Sequence, residues 1–537
     1  MAKYSIGVDY GTLSARALLV DLTDGREVCE SVYEYPHAIL TNDYFDGIPL
    51  INTDAFQHPQ DYLDALVSTI KDVLETSGVS PSDIVGIGFD FTSCTVLPVD
   101  EKGTPLCFYD KYKQNPQAYV KLWKHHSAQA EADEITALAE KENAPWLSSY
   151  GGKVSSEWLF PKLFEVYHKA PDVYEDTFRY IEAGDWLVWM LTGIETHSSC
   201  MAGYKALWNK KSGYPENEFW AKYDEKFSDI IGTKVSCNVL PTGTKSGIIN
   251  AHGNLLTGLD IGTAVAVPII DAHAALPAAG VVDGGKLMLI IGTSSCHIVM
   301  SKEDRVVNGI CGSVEDGIIP GLVAYEAGQS AVGDIFDWYI NNCVPEKYMQ
   351  EARDKGKSIF SLMDEKASDI GIGESGIIAL DWWNGNRTPY ADYSLKGVIL
   401  GMNLHTKPEE IYRGILESTA FGTKAIVDLY EENGVEINEV YAAGGISQKN
   451  SFMMKMYADV LGKEIQIAAS TQAGAKGSAI FASVAGGYFA TAKDAAEVIA
   501  DKCEKVYYPT PENTEKYEVI YKKYRKLSEY FAKREEI

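Results

Sequence analysis

The chain opens with Tyr4-Ser-Ile-Gly-Val-Asp-Tyr-Gly-Thr-Leu-Ser-Ala-Arg-Ala-Leu-Leu-Val-Asp21, and a similar shape returns at Lys286-Leu-Met-Leu-Ile-Ile-Gly-Thr-Ser-Ser-Cys-His-Ile-Val-Met300. Each is an apolar run, a Gly-Thr turn with further hydroxyls, and a second apolar run: strand, tight turn, strand. The two begin roughly 280 residues apart, which predicts two related halves, each with its own turn. At the first turn Gly11 lets the backbone approach a ligand with no Cβ in the way. The amides and hydroxyls of Thr12 and Ser14 suit an anionic oxygen there, and the carboxylate of Asp9 suits a magnesium ion held through water. One such hairpin is as readily an ordinary surface turn, so the pairing of two carries the argument.

A chain of 537 residues exceeds a single core and requires two or more domains. Its 75 acidic against 48 basic residues leave a net charge of −27. That balance excludes a broad nucleic-acid or anionic-membrane surface, but not a phosphate pocket built from local amides. The N-terminus lacks the apolar core of a signal peptide, and the most apolar stretches (265–282 and 287–300) are broken by Asp271, His273, prolines or a Gly-Thr-Ser-Ser turn. The nine cysteines are scattered without a Cys-x-x-Cys, which fits reduced thiols in a cytoplasm better than disulfides or zinc.

Between the hairpins, helical spacing predicts a helix at 61–76 and a polar helical stretch at 115–141. Ile84 to Asp100 repeats the opening shape, with an apolar strand ending at Asp90, a Thr/Ser turn and a departing strand. Lys205 stands alone among apolar neighbours; it is either a snorkelling surface lysine or a cleft residue. Asp271 lies where a strand ends and a small-residue helix begins, the position at which open α/β sheets hold their chemistry. Further on, a helix at 408–432 and a strand at 439–443 lead into Gly444-Gly445, a turn that allows close approach by a ribose or base. A small-residue helix opens at Gln472, and a charged helix with a solvated face closes the chain from 511 to 537. Several motifs fail. Gly356-Lys-Ser358 has Glu351 where a P-loop needs glycine, and Gly371–Gly376 precedes its strand instead of following it. Val332 stands where a nucleophile elbow needs glycine, and no second His or Cys cluster completes Asp271-x-His273.

Taken together, the two turns, the strand-end Asp271 and the late Gly-Gly turn resemble the FGGY family of carbohydrate kinases over nearly the whole chain. The segment from Gly397 to Glu417 is similar to a family signature, with Gly414 where Ala or Ser is usual. Segments 90–95, 150–158, 202–208 and 325–330 are closest to the members that act on ribulose. The resemblance implies an α/β fold of two actin-like (ribonuclease H-like) ATPase domains flanking a central cleft. The domains are expected at 1–279 and 280–500, with a helical tail at 501–537. It implies that Asp9, Gly11, Thr12, Ser14 and Arg16 hold phosphates and magnesium, and that Gly292, Thr293 and Ser294 do so from the second half. Gly444, Gly445, Gln448 and Asn450 lie along the adenosine. Asp271 is the general base, and Ser93, Lys205 and Glu326 contact sugar oxygens. The implied reaction is ATP- and Mg²⁺-dependent phosphorylation of L-ribulose at its 5-hydroxyl in the cytoplasm. Partners are a ketopentose and ATP, with no nucleic acid or membrane, and a homodimer allowed. D-ribulose or D-xylulose as acceptor, or an actin-like structural or sensor ATPase with no sugar, are the alternatives.

Overall fold

The computed structural model describes residues 2–469 and 472–533, apart from the side chain of Glu504. Met1 and the last four residues of the expected tail lie outside this range. Contacts divide the chain into two units. Unit 1 comprises Met1–Asp283, Ser313–Ala324 and Ser470–Asp501; unit 2 comprises Gly284–Gly312, Tyr325–Ala469 and Lys502–Ile537. This division is not linear in sequence: 470–501, grouped by sequence with the second half, belongs to unit 1, and the tail belongs to unit 2.

Unit 1 is built on strands β1 (Tyr4–Tyr10), β2 (Ser14–Asp21) and β3 (Glu27–Glu34), helix α1 (Pro59–Ser77), and strand β4 (Ile84–Phe91). The first hairpin forms as its sequence predicts, with β1 antiparallel to β2 and Asp9 opposite Arg16. β4 lies parallel to β1 on the other side, which sets Asp90 beside Asp9. Ile6, Val8, Ile87 and Phe89 are fully buried or nearly so, the near-continuous apolar pattern of strands covered on both faces. Helix α1 starts on Pro59, with the His58 ring accepting from the Gln60 amide at 3.1 Å, and stops at Gly78 in the left-handed region.

The strand, turn and departing strand expected at 84–100 form, but the two strands do not pair with each other. β5 (Val96–Val99) leaves the main sheet and pairs antiparallel with β6 (Arg179–Glu182) in a separate four-stranded sheet, while β4 keeps β1 as its neighbour. The chain changes sheets at Cys94, a non-glycine residue with φ 53°. The expected long helix at 115–141 is also shorter: Pro116 starts a single 3-10 turn, Val120–Lys121 join the small sheet as a buried strand, and the helix proper runs Gln129–Lys141. Helices α2 (Leu159–Lys169) and α3 (Ser199–Lys205) follow, then β7 (Lys245–Ile248), β8 (Ala264–Ala266), β9 (Ile269–Ile270) and α4 (Asp271–Ala278). The main sheet runs β7-β8-β4-β1-β2-β3, with β9 also paired to β4.

A late helix, Ala473–Ala485, seals this sheet, and the packing is backbone against backbone. A Cβ on Gly7 would fall 1.8 Å from the Ala475 carbonyl oxygen, and one on Gly88 2.3 Å from that of Ser478. From the helix side, a Cβ on Gly477 would fall 1.9 Å from the Ala274 oxygen in α4. Only glycine permits so close an approach.

Unit 2 carries β10 (Lys286–Ile291), β11 (Ser295–Ser301), β12 (Val323–Gln329), α5 (Gly333–Cys343), α6 (Pro408–Glu432), β13 (Glu439–Ala443), β14 (Ile465–Ala468), β15 (Cys503–Tyr507) and α7 (Pro511–Ala532). Its sheet runs β12-β11-β10-β13-β14-β15. β10 is antiparallel to β11 and parallel to β13, the arrangement that β1 has with β2 and β4. The two hairpins therefore sit in equivalent places in two similar sheets. Helix α7 is less solvated than its charge suggests: Tyr517, Tyr521 and Tyr524 are buried, and the Tyr524 hydroxyl donates to Asp381 Oδ1 at 2.7 Å. Among the described residues no helix is long and apolar enough to cross a membrane, and all nine cysteines are free.

Candidate active site

In unit 1 the β1–β2 bend is closed by the Gly11 amide donating to the Ser14 carbonyl at 3.0 Å. Two side chains far away in sequence hold it: Gln57 Nε2 donates to the Thr12 carbonyl at 2.6 Å, and Trp123 Nε1 to Thr12 Oγ1 at 3.1 Å. Gly11, Thr12, Ser14 and Arg16 are all partly exposed on or beside this bend, so their polar groups can reach a ligand.

Behind the bend lies a pair of carboxyl groups. Asp9 and Asp90 are register partners in hydrogen-bonding contact, and Ser478 of the late helix donates to Asp90 Oδ2 at 2.7 Å. Asp90 Oδ1 has no donor. Burial and the neighbouring Asp9 charge push the Asp90 carboxyl well above the ordinary carboxylate range, with Asp271 acting in the same direction. Burial raises Asp9 as well, against the hydrogen bond with Asp90 and the Arg16 charge. Gly474 forms the lid of this pair: a Cβ there would lie 2.9 Å from Asp90 Oδ1 and 3.1 Å from Asp9 Oδ2. Two carboxyl groups side by side, with Asp90 Oδ1 unpartnered and the space above them left open by Gly474, are a ligand set that fits a hydrated divalent cation.

Asp271 is the first residue of α4, half-buried, with Oδ1 accepting from the Ala272 amide at 2.6 Å. The helix amino end favours its charge. Two residues on, His273 is buried, with Nδ1 3.1 Å from Cys200 Sγ and its ring 4.7 Å from that of Tyr204. That engagement makes it part of the packing behind Asp271. Lys205 ends α3 and is half-buried. Ser93 stands on the turn where the chain changes sheets, and its buried Oγ has no partner. Glu182, at the end of β6, is 3% exposed and close enough to Lys205 and to the buried Lys162 to feel both charges. Burial pushes its carboxyl up to about 8, against the pull of Lys162, the Cys94 thiol and Lys205.

In unit 2 the second bend is fixed from below by α5. The Gly333 amide donates to the Gly292 carbonyl at 3.0 Å, and the Val332 amide to that of Thr293 at 2.7 Å. Gly444, with φ 99°, packs on the end of β10: a Cβ would fall 2.4 Å from the Ile291 oxygen. The structure therefore brings the Gly292-Thr293-Ser294 bend and the Gly444-Gly445 turn together. Gly445 and Gln448 are exposed beside it. Asn450 is occupied, with Oδ1 capping the next helix at the Met453 amide (2.9 Å) and Nδ2 donating to Asp364 (3.0 Å). Glu326 is buried in the middle of β12.

Asp90, Glu182, Gly474 and Ser478 escaped the sequence reading. For Asp90 a signal existed, since it ends a strand shaped like the one that ends near Asp9. The others are visible only once distant segments are packed. A separate group, Asp54, His125 and Glu165, has donor atoms within 4.8 Å of one another. It is an ion-pair network: His125 Nδ1 accepts from the Ala55 amide at 3.1 Å, Nε2 meets Glu165 at 2.7 Å, and Lys121 and Lys169 neutralise the same carboxylate.

Two family models match the chain: "FGGY family of carbohydrate kinases, N-terminal domain" over residues 4–277 and the corresponding C-terminal domain over 287–486. Proteins named ribulokinase from Bacillus licheniformis and Shouchella clausii are 47% and 48% identical, over 98% and 100% of this chain and 96% of each relative. Among solved structures, the xylulose kinase from Rhodospirillum rubrum matches with a TM-score of 0.82 at 21% identity, over 98% of this chain and all of that one. The gluconate kinase from Lactobacillus acidophilus matches at 0.81 and 17%, over 99% of both. These structures share the two-domain actin-like fold. The chain belongs to the FGGY family of carbohydrate kinases, ATP-dependent enzymes that phosphorylate sugars.

Proposed function

We propose that this kinase transfers the γ-phosphoryl group of ATP to the 5-hydroxyl of L-ribulose, the ribulokinase step of arabinose catabolism. The observation that carries the acceptor is the near-full-length identity to proteins named ribulokinase. On this reading 1–279 is the sugar-site half, 280–500 the nucleotide half and 501–537 a tail, in line with the boundaries of the two family models.

The residues divide the work as follows. Asp271 accepts the proton of the attacking hydroxyl, since a carboxylate at a helix amino end is charged and partly open to a ligand. Ser93, Lys205 and Glu326 bind the sugar's oxygens; the unpartnered Ser93 hydroxyl is satisfied when the sugar is present. The amides and hydroxyls of Gly11, Thr12 and Ser14, with Arg16, bind phosphate oxygens, as do Gly292, Thr293 and Ser294. Gly444, Gly445, Gln448 and Asn450 lie along the adenosine, Asn450 also capping the helix that follows. Asp9, beside Asp90, would hold magnesium through water; the ion supplies charge neutralisation on the phosphates. A cytoplasmic location accords with the free cysteines, and a homodimer is compatible with this reading.

A second reading within the family takes D-ribulose or D-xylulose as acceptor, because pentulose preference turns on a few hydroxyl contacts. Sugar-dependent ADP release measured across a panel of ketopentoses tests the assignment. L-ribulose should give the highest kcat/KM, and a clear preference for D-xylulose overturns it.

A further inference from the structure

A bend that binds phosphate through its amides works best when its peptide planes are aimed before the nucleotide arrives. A tight turn normally rests on one internal bond, here the Gly11 amide to the Ser14 carbonyl. The first bend is held by more than that. Gln57, on the two-residue strand Phe56–Gln57, is 1% exposed, and its Nε2 donates to the Thr12 carbonyl at 2.6 Å. A carbonyl only accepts, so the Gln57 amide group is turned with its nitrogen toward the bend. Its oxygen, on the other side, receives the Tyr62 hydroxyl at 2.6 Å. Tyr62 is itself buried on α1, and its carbonyl accepts the hydroxyl of Tyr10, the last residue of β1, at 3.1 Å. The line of bonds thus leaves the hairpin at Tyr10 and returns to it at Thr12.

This inner bracing decides what faces outward. In a trans peptide the C=O and the following N–H point in opposite directions. With the Thr12 carbonyl drawn inward to Gln57, the Leu13 amide is aimed outward, beside a side chain that is 55% exposed. Among the described residues no hydrogen bond engages the amide of Thr12 or of Leu13. Trp123 does the same for the side chain. It lies two residues beyond the strand Val120–Lys121, which pairs with Phe56–Gln57 in the small sheet. Its indole N–H is a donor only and meets Thr12 Oγ1 at 3.1 Å, so the Thr12 hydroxyl proton is left for an acceptor outside. The small sheet therefore grips one residue of the bend at both its carbonyl and its hydroxyl. Successive unengaged amides beside an outward hydroxyl are an arrangement that receives an anion. A surface turn needs no such grip, and burying a glutamine is costly unless both its ends are bonded.

We propose that Gln57 is a positioning residue for the nucleotide's phosphates: it turns the Thr12–Leu13 peptide so that the amides of the bend face the phosphate oxygens, and Tyr62 acts through it. This rests on the assignment of the first bend to ATP. Gln57 is buried behind the bend and acts only through it, so the sugar contacts and Asp271 are untouched by its loss.

The test is calorimetric binding of MgATP, of adenosine and of the ketopentose that the wild-type enzyme prefers. The variants are Gln57→Met, Tyr62→Phe and the two combined, with Thr12→Val as a reference for the bend itself. Methionine keeps the length of the side chain and removes the donor. Gln57→Met should raise the MgATP Kd about fivefold, the scale of one hydrogen bond, with the adenosine and sugar Kd within about twofold of wild type. Tyr62→Phe should raise the MgATP Kd about two- to threefold alone, and add less than about 1.5-fold once Gln57 is methionine. A general loosening of the unit moves all three ligands together, and that result overturns the proposal. So does a Tyr62→Phe effect that persists in full without Gln57. Should Gln57→Met fail to fold because the Tyr62 hydroxyl is left buried without an acceptor, the double variant removes both polar ends and carries the same MgATP and adenosine readings. Thr12→Val separates the two layers of the argument. A raised MgATP Kd there with none in Gln57→Met refutes the positioning role alone, and no change in either refutes the assignment of the bend to phosphate as well.

Discussion

Gly474→Ala is a one-carbon change aimed at the Asp9–Asp90 pair. The new Cβ would lie 2.9 Å from Asp90 Oδ1, 3.0 Å from Asp9 Cγ and 3.1 Å from Asp9 Oδ2. Ordinary contact begins near 3.4 Å, so something must retreat by about half an ångström. Retreat of the helix is opposed by α4, on which Gly477 seats it with no room to spare. Asp90 Oδ2 is tied to Ser478 on that same helix. The carboxyl groups therefore rotate. A misplacement of about 1 Å costs about 10²-fold in a positioned reaction. Half of that should lower kcat/KM about ten- to a hundredfold, or about 1.4–2.7 kcal/mol of transition-state stabilisation. Folding should not suffer, since alanine is the better helix former by up to about 1 kcal/mol. The assay is sugar-dependent ADP release alongside thermal unfolding. Wild-type kcat/KM at an undiminished Tm refutes the placement of the carboxyl pair in the reaction. A large fall in Tm refutes the argument that side chains absorb the clash.

Other substitutions probe separate links. Gly477→Ala sets a Cβ 1.9 Å from a backbone oxygen that cannot rotate away, so denaturant unfolding should show a loss of about 3 kcal/mol or more. Asp271→Asn should leave sugar and ATP binding, measured by calorimetry, near normal, while kcat falls about 10²–10⁴-fold. His297 is fully buried; burial, with Arg387 acting in the same direction, holds its ring down to about 3. The native ring stays neutral while the unfolded one takes up a proton below about 6.5. Stability should thus fall as pH drops from about 6.5 toward 3, by up to about 1.4 kcal/mol per unit from this group. His297→Gln should lack that part of the slope in denaturant titrations at several pH values; an identical slope refutes the reading.

Much of the frame could be read from local pattern. Helix α6 runs Pro408–Glu432 and β13 Glu439–Ala443, as spacing and turn residues predict, because in both cases the boundary chemistry is local. Pro408 takes the first helical position, and the Glu410 side chain accepts the Lys407 amide. The two Gly-Thr bends were legible for the same reason. At Ile84–Asp100 the two strands and the turn were legible but their separation was not, because nothing in the string says that Cys94 will turn left-handed and hand the next strand to another sheet. The Cys94 carbonyl is held there by Lys162, roughly 70 residues downstream, and only tertiary packing brings that residue in. The capping role of Asn450 was not foreseen, although its place just before a helix start is the signal for one. Asp90 was passed over because a strand-end carboxylate is ordinary until its neighbour across the sheet is known to be Asp9.

The helix Ala473–Ala485 also bears on how the protein is made. Its glycine-mediated seat closes the main sheet of the unit that starts at the amino terminus, yet most of the other unit is translated first. A nascent chain leaving the ribosome thus carries a bare β-sheet surface until synthesis is about nine-tenths complete. Shortened versions that stop near residue 283 should expose that surface permanently and depend on chaperones or aggregate.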